Sequence, residues 1–226
     1  WKSVVSELLW FLEGSNDERR LAEILYQDKR ENLKDKKTIW TQNANADFWK
    51  KKSKFQGDVG KIYGVQWRNF NGIDQITNLI NGIRKDPNGR RHILSAWNPS
   101  DLHLMSLPPC HAFSQFFVSN NKLSCQLYQR SCDMFLGVPF NIASYSLLIH
   151  LIANECSLDV GEFIHTLGDY HIYHEHFDAI NIQMERSPDQ LPNLVFDKKK
   201  IFNYSLNDFT LENYYPQSTI KASMNV

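Results

Sequence analysis

The sequence carries no surplus charge: 25 Lys and Arg stand against 25 Asp and Glu over 226 residues. That balance removes the electrostatic basis for non-specific nucleic-acid binding, which needs an excess of cations. Glycine and proline are scarce, at 10 and 8, which excludes collagen-like and low-complexity chains. No apolar run reaches the roughly 18 residues that suggest a membrane span, because residues 135–152 are interrupted by Asn141, Ser144, Ser146 and His150. No signal peptide is expected either, since Trp1 leads at once into an amphipathic pattern. Cysteine is limited to Cys110, Cys125, Cys132 and Cys156 with no C-x-x-C pair, so reduced thiols and a cytoplasmic location are expected. The phosphate-loop, dinucleotide and serine-hydrolase signatures are missing. His171, His174 and His176 follow H-x-x-H-x-H, which matches no strong zinc pattern, and no metal is expected.

What is present suits a compact globular protein. Apolar residues make up 42% and aromatics 13%, enough for a sizeable core in one domain over residues 1–226. Residues 2–13 have helical apolar spacing and Gly14 supplies the stop. Ser15 to Glu18 fits a capping box for a second helix through Tyr26. Residues 27–54 are charged and irregular, which predicts a solvated insertion or lid. Ile73, Ile76, Leu79, Ile80 and Ile83 mark a third helix, ended by the turn at Asp86–Gly89. Strands are expected at 92–97, 111–119 and 123–129, the last two joined by an Asn120–Asn121 hairpin turn. Pro139 suits the first turn of a long helix over 140–154, and further strands are expected at 162–166, 194–196 and 209–211. Helices and strands mix without regular βαβ alternation, so the class is α+β, a mixed sheet packed by helices.

Several residues point to chemistry. Glu7 shares a helix face with Val4, Leu8 and Phe11, and burial there raises a carboxyl toward the range useful for proton transfer. Cys110 follows two prolines at the mouth of a strand, and Arg130, ending the paired strand, is the cation positioned to activate it. His111 is not an obvious base for Cys110, because adjacent strand residues face opposite ways. The clusters 129–133 and 168–173 lie where strands give way to loops, the usual place for ligand contacts. Arg90 and Arg91 form an adjacent pair suited to a phosphate.

The strings ELLWFLEG, GKIYGVQWR, GRRHILSAWNPSDL, LPPCHAF, LSCQLYQRSCDMFLGVPFNIASY and GDYHIYHEH resemble thymidylate synthases, in the same order and at similar spacing. The resemblance runs over the whole sequence and is most specific between Leu107 and Tyr145. It implies a homodimer that methylates dUMP to dTMP with 5,10-methylenetetrahydrofolate as one-carbon donor and reductant. It also implies about 50 family residues upstream of Trp1, with another phosphate-binding arginine loop, that this sequence does not show.

The resemblance carries roles with it. Cys110 is the implied nucleophile, Glu7 the acid/base and Tyr63 a participant in C5 proton removal. Arg130 and Ser131 hold the 5′-phosphate, with Arg90 and Arg91 contributed across the dimer. Cys132, Asp133, Asn141, His171, Ile172 and Tyr173 complete the implied nucleotide site, with His171 and Tyr173 on the ribose. Trp40, Leu107, Asp133, Gly137, Phe140 and Asn225 are implied to line the folate site, closed by the C-terminal tail. Asn141 favours uracil, because its amide offers a donor and an acceptor to O4 and N3–H. Two departures stand out: Thr41 follows Trp40 where the family usually has Asp, and the stretch between Tyr26 and Lys37 is longer than in compact bacterial members. A deoxypyrimidine-monophosphate hydroxymethylase and a non-catalytic binding protein on the same scaffold are the alternatives.

Overall fold

Apolar residues on nearly every side of the first helix place it inside the molecule. The computed structural model describes residues 1–224. In it, α1 (Lys2–Glu13) buries Val4, Val5, Leu8, Leu9, Trp10, Phe11 and Leu12. Gly14 ends it with φ 72°, and a Cβ there would lie 2.7 Å from Arg68 Cβ. The next helix, α2 (Glu18–Tyr26), begins differently from the capping-box expectation. Asp17 is its cap, accepting the Arg19 N–H, while Ser15 Oγ accepts from Asp17 N and Glu18 turns inward. Asp17 lies closer to the first turn and presents a charged acceptor there, so it takes the role.

Residues 27–54 are not the solvated loop expected. They hold α3 (Thr41–Asn45) and α4 (Asp47–Lys50), and bury Leu33, Trp40, Ala44 and Trp49. The charges stay outside while a sparse set of large apolar residues anchors the segment, a spacing too irregular to register as a helix period. Two more helices follow, α5 (Tyr63–Arg68) and α6 (Gln75–Lys85), the latter capped by Asp74 and lying where the third helix was expected.

The sheet has the order β1 (Ile93–Ser95), β2 (His111–Ser119), β3 (Lys122–Asp133) and β4 (Asp159–His171). The β2–β3 hairpin turns through Asn120 and Asn121 at φ 49° and 60°, as the sequence suggested. Between β3 and β4 runs α7 (Gly137–Cys156), and β4 pairs parallel to β3. One βαβ crossover is therefore present where no regular alternation was read. It escaped notice because α7 is apolar almost all round, and β4 is longer than its apolar core of 162–166. The helix also starts at Gly137, three residues before the expected Phe140. Pro139 sits in its first turn, where the missing N–H has no intrahelical partner to lose. The chain continues through α8 (Phe177–Met184) to a ribbon of β5 (Asn193–Phe196) and β6 (Phe209–Glu212), matching the last two strands expected.

Alternation then divides the sheet. Inward residues Ser114, Phe116, Val118, Leu123, Cys125 and Leu127 are buried, most of them in one core with residues of α1 and α7. Outward residues Ile93, Phe113, Phe117, Tyr128 and Ile164 are exposed although apolar. Among the described residues no helix is long and apolar enough to cross a membrane.

Candidate active site

Cys110 lies just before β2, and the chain around it is held from three sides. Its N–H donates to Tyr63 Oη on α5 at 2.7 Å, and its carbonyl accepts the Arg130 N–H from β3 at 2.8 Å. Arg130 closes the third side: Nε donates to the Pro109 carbonyl at 2.9 Å and Nη2 to the Pro108 carbonyl at 2.8 Å. The same Nη2 is 4.0 Å from the Cys110 sulfur. The two prolines therefore act by placing free carbonyls that the guanidinium spans. Burial pushes the Cys110 thiol up, against the pull of Arg130 and of bonds from Tyr63 and Ser131. The expected activating cation is in place, yet burial outweighs it and the resting group is a thiol.

A second group of residues forms an aromatic wall. Tyr63 stacks on His111 with ring centres 3.9 Å apart, and His111 Nδ1 is 2.9 Å from Tyr145 Oη. Burial drives the His111 pKa down to about 3, so its imidazole is neutral, and drives Tyr63 well above its usual value. Glu7 on α1 accepts the Trp40 indole N–H at 2.7 Å. Burial raises the Glu7 carboxyl to about 7, with the Trp40 bond acting the other way. The Glu7 carboxyl is thus raised as its place on an apolar helix face predicts, and its partner is the Trp40 indole.

The third group lies where β3 gives way to α7. Gln129 faces inward from β3 and is buried, with Nε2 donating to the Ser131 carbonyl at 2.9 Å and to Asn141 Oδ1 at 3.0 Å. His165 Nε2 is 2.9 Å from Gln129 Oε1. A main-chain carbonyl can only accept, so the Gln129 amide has one orientation, and Asn141 must turn its oxygen toward it. Asp133 Oδ1 caps the turn into α7 by accepting from Phe135 N at 3.0 Å and Leu136 N at 3.3 Å. Gly137 lies between them, its missing Cβ leaving 3.4 Å to Asp133 and 3.7 Å to Asn141.

The remaining expected residues divide. His171 and Tyr173 come together edge to face at 5.0 Å at the end of β4, with Ile172 exposed between them. Ser131 pairs with Asp169 across β3 and β4, Leu107 precedes the two prolines before Cys110, and Phe140 lies on α7, 46% exposed. Cys132 is fully buried with its thiol on the Gln129 carbonyl, so its side chain cannot contact a ligand and only its main chain is available. Arg90 and Arg91 do not join the cluster. They are exposed ahead of β1, beside Gln115, and their guanidinium groups make no bond among the described residues. Asn225 lies outside the described residues. No group of three His, Cys, Asp or Glu among the described residues could hold a metal ion.

A family model described as thymidylate synthase matches residues 1–226. The chain belongs to the thymidylate synthase family. A solved structure of thymidylate synthase from T4 phage is similar at 41% sequence identity with a TM-score of 0.89, covering 100% of this chain and 82% of that one. Membership makes this a methyltransferase-family enzyme of dTMP biosynthesis, a family that generally uses methylenetetrahydrofolate.

His111, Tyr145 and His165 had no assigned role in the sequence, and Gln129 stood out only as a member of the cluster 129–133. A polar residue at an inward strand position was the available signal for Gln129, since such a group needs buried partners.

Proposed function

We propose that this chain converts dUMP to dTMP with 5,10-methylenetetrahydrofolate, forming dihydrofolate. The observation that carries the reading is the Cys110 thiol beside the Arg130 guanidinium, with a uracil-reading amide held in one orientation in the same β3–α7 region. Cys110 gives its proton to solvent as the nucleotide docks, and its sulfur adds to C6 across the C5–C6 double bond of the uracil, making C5 nucleophilic; the sulfur leaves again when that double bond re-forms and dTMP is released. Arg130 and Ser131 bind the phosphate, and His171 and Tyr173 bind the ribose. Asn141, its oxygen toward Gln129, offers N–H to O4 and its second lone pair to N3–H. That pattern selects uracil over cytosine, because the reversed amide would oppose two donors at Gln129. Glu7 exchanges a proton with water at the uracil carbonyl, its pKa lying near the working pH. Tyr63 takes part in removal of the C5 proton.

The folate supplies the one-carbon unit and a hydride. The residues present fit it: among the described residues Asp133 keeps one carboxylate oxygen free of hydrogen bonds, and Phe140, one turn after Gly137 on α7, is 46% exposed. Asp133 would hold the polar end, and Trp40, Leu107, Gly137 and Phe140 would exclude water from it.

The exposed apolar sheet face supports a homodimer formed by pairing of that face between two copies. Arg130 continues the outward series of Gln126 and Tyr128 and borders a cavity of about 440 Å³ there, with Ile93, Trp97 and Phe113. Arg90 and Arg91, free ahead of β1, would then reach the partner's phosphate site. One domain and a cytoplasmic location complete the proposal.

The test mixes purified protein with dUMP and methylenetetrahydrofolate, following dihydrofolate absorbance and identifying the nucleotide by mass. Dihydrofolate and dTMP forming together, absent with Cys110→Ala and with dCMP, are expected. A hydroxymethyl nucleotide without dihydrofolate would place the hydroxymethylase first, and no turnover would leave a binding protein.

A further inference from the structure

Glu18 is outside the cluster around Cys110, yet it is 1% exposed on the first turn of α2. A buried carboxylate needs several donors, and this one has four. Its Oε1 accepts from Thr38 Oγ1 at 2.7 Å, from Thr41 Oγ1 at 2.6 Å and from Arg19 Nη2. Its Oε2 accepts from Arg19 Nε at 2.6 Å. Arg19 uses Nη1 on the carbonyls of Leu33 and Lys36, both at 3.0 Å, tying down the lead-in to Trp40.

The two threonines stand on either side of Trp40. Each hydroxyl donates its proton to Glu18 and so turns a lone pair to the backbone. Thr41 Oγ1 accepts Thr38 N–H at 2.8 Å, and Thr38 Oγ1 accepts Trp40 N–H at 3.1 Å. One carboxylate thus closes a loop of hydrogen bonds around the indole residue. At its far end the same indole donates to Glu7. Thr41 is also where an aspartate was expected after Trp40, and in this chain the acid comes from α2 instead.

We infer that Glu18 is a positioning residue for the site: through Thr38 and Thr41 it fixes Trp40 and so holds the indole N–H on the Glu7 carboxyl. This rests on the reading of Glu7 as the proton-relay group. The titratable group coupled to Glu7 is Tyr63 on α5, which in turn faces Cys110 and Tyr145; the charged group facing Glu18 is Arg19 on its own helix. Of these groups, Glu18 is the one that hydrogen-bonds the threonine hydroxyls among the described residues. A carboxamide cannot replace Glu18, because its NH2 would face either the two hydroxyls or the Arg19 guanidinium, donor against donor.

The test is a carbon-13 NMR titration of the glutamate carboxyls in the full chain, with the Glu7 signal identified by its loss in Glu7→Gln. Glu18→Gln and Trp40→Phe are each expected to move the Glu7 titration upward by about 0.5–1 pH unit, the worth of one hydrogen bond to the charged form. The double variant should move it no further than the larger single change. Thr41→Val, which removes one hydroxyl and no charge, should shift it in the same direction and keeps the inference testable where Glu18→Gln does not fold. In turnover, the acid limb of kcat should move with the titration while KM for dUMP holds. A folded Glu18→Gln or Thr41→Val with lower Tm but an unmoved Glu7 titration would overturn the inference, as would additive shifts in the double variant. The titration needs no turnover, so absence of dTMP formation would sink the synthase reading alone.

Discussion

The polar wall at the start of β2 and end of β3, and the aromatic wall of Glu7, Tyr63 and His111, meet at Cys110 but treat charge in opposite ways. On the polar wall, the Arg130 guanidinium is held by hydrogen bonds to two proline carbonyls. On the aromatic wall no cation pairs with Glu7 among the described residues, and burial favours neutral forms: Glu7 rises to about 7 and His111 falls to about 3. The proposed anion site therefore lies on the polar wall and the proposed proton relay on the aromatic one. Cys110, pushed up by burial and pulled down by Arg130, belongs partly to each.

The comparison can be broken most severely at the junction. Cys110→Ala should remove all measurable dTMP formation while dUMP still binds, checked by turnover and calorimetry. Next, on the aromatic wall, Glu7→Gln should lower kcat by about 10²–10⁴-fold with KM for dUMP nearly unchanged. On the polar wall, Arg130→Gln should do the reverse, raising KM for dUMP by about 30-fold or more as a charge-assisted contact is lost. Steady-state kinetics of the two variants side by side would show whether the division of labour holds; a kcat effect at Arg130 equal to that at Glu7 would dissolve it.

A smaller effect sharpens the electrostatic side. The Glu7 pKa is raised from 4.5 to about 7, so the folded state holds the proton more tightly than the unfolded one. Its unfavourable contribution is absent below about pH 4.5, grows as pH rises to 7, and is constant above that. Glu7→Gln should therefore be more stable than the parent at pH 8, by about 1–2 kcal/mol, with the gain vanishing toward pH 4.5. Thermal melts across that range check the sign. The smallest change concerns the outer sheet face: Phe117→Asp should weaken the proposed dimer in sedimentation while leaving the fold, by circular dichroism, intact.

Legibility in the sequence followed the range of the interactions. The helix ending at Gly14, the Asn120–Asn121 hairpin and the pairing of the strand after Cys110 with the strand that carries Arg130 depend on local backbone preferences and apolar period, and all are found. Glu7 was legible as a carboxyl on an apolar face. The parallel placement of β4 was not, because an apolar helix between two strands reads the same whichever way the chain returns. The folded state of residues 27–54 was hidden by charge, since Trp40 and Trp49 are anchors too few to make a pattern. Glu18 looked like a helix cap, and only its burial against Thr38 and Thr41 shows otherwise.

By itself the sequence determined the α+β class, the strand-and-turn frame around Cys110 and, through its motifs, the family, since these rest on residue types at fixed separations along the chain. Only the tertiary structure decided the protonation states and the orientation of Asn141. Those depend on which groups from distant segments meet in a space without water: Trp40 with Glu7, Tyr63 with His111, and Gln129 with both Ser131 and Asn141.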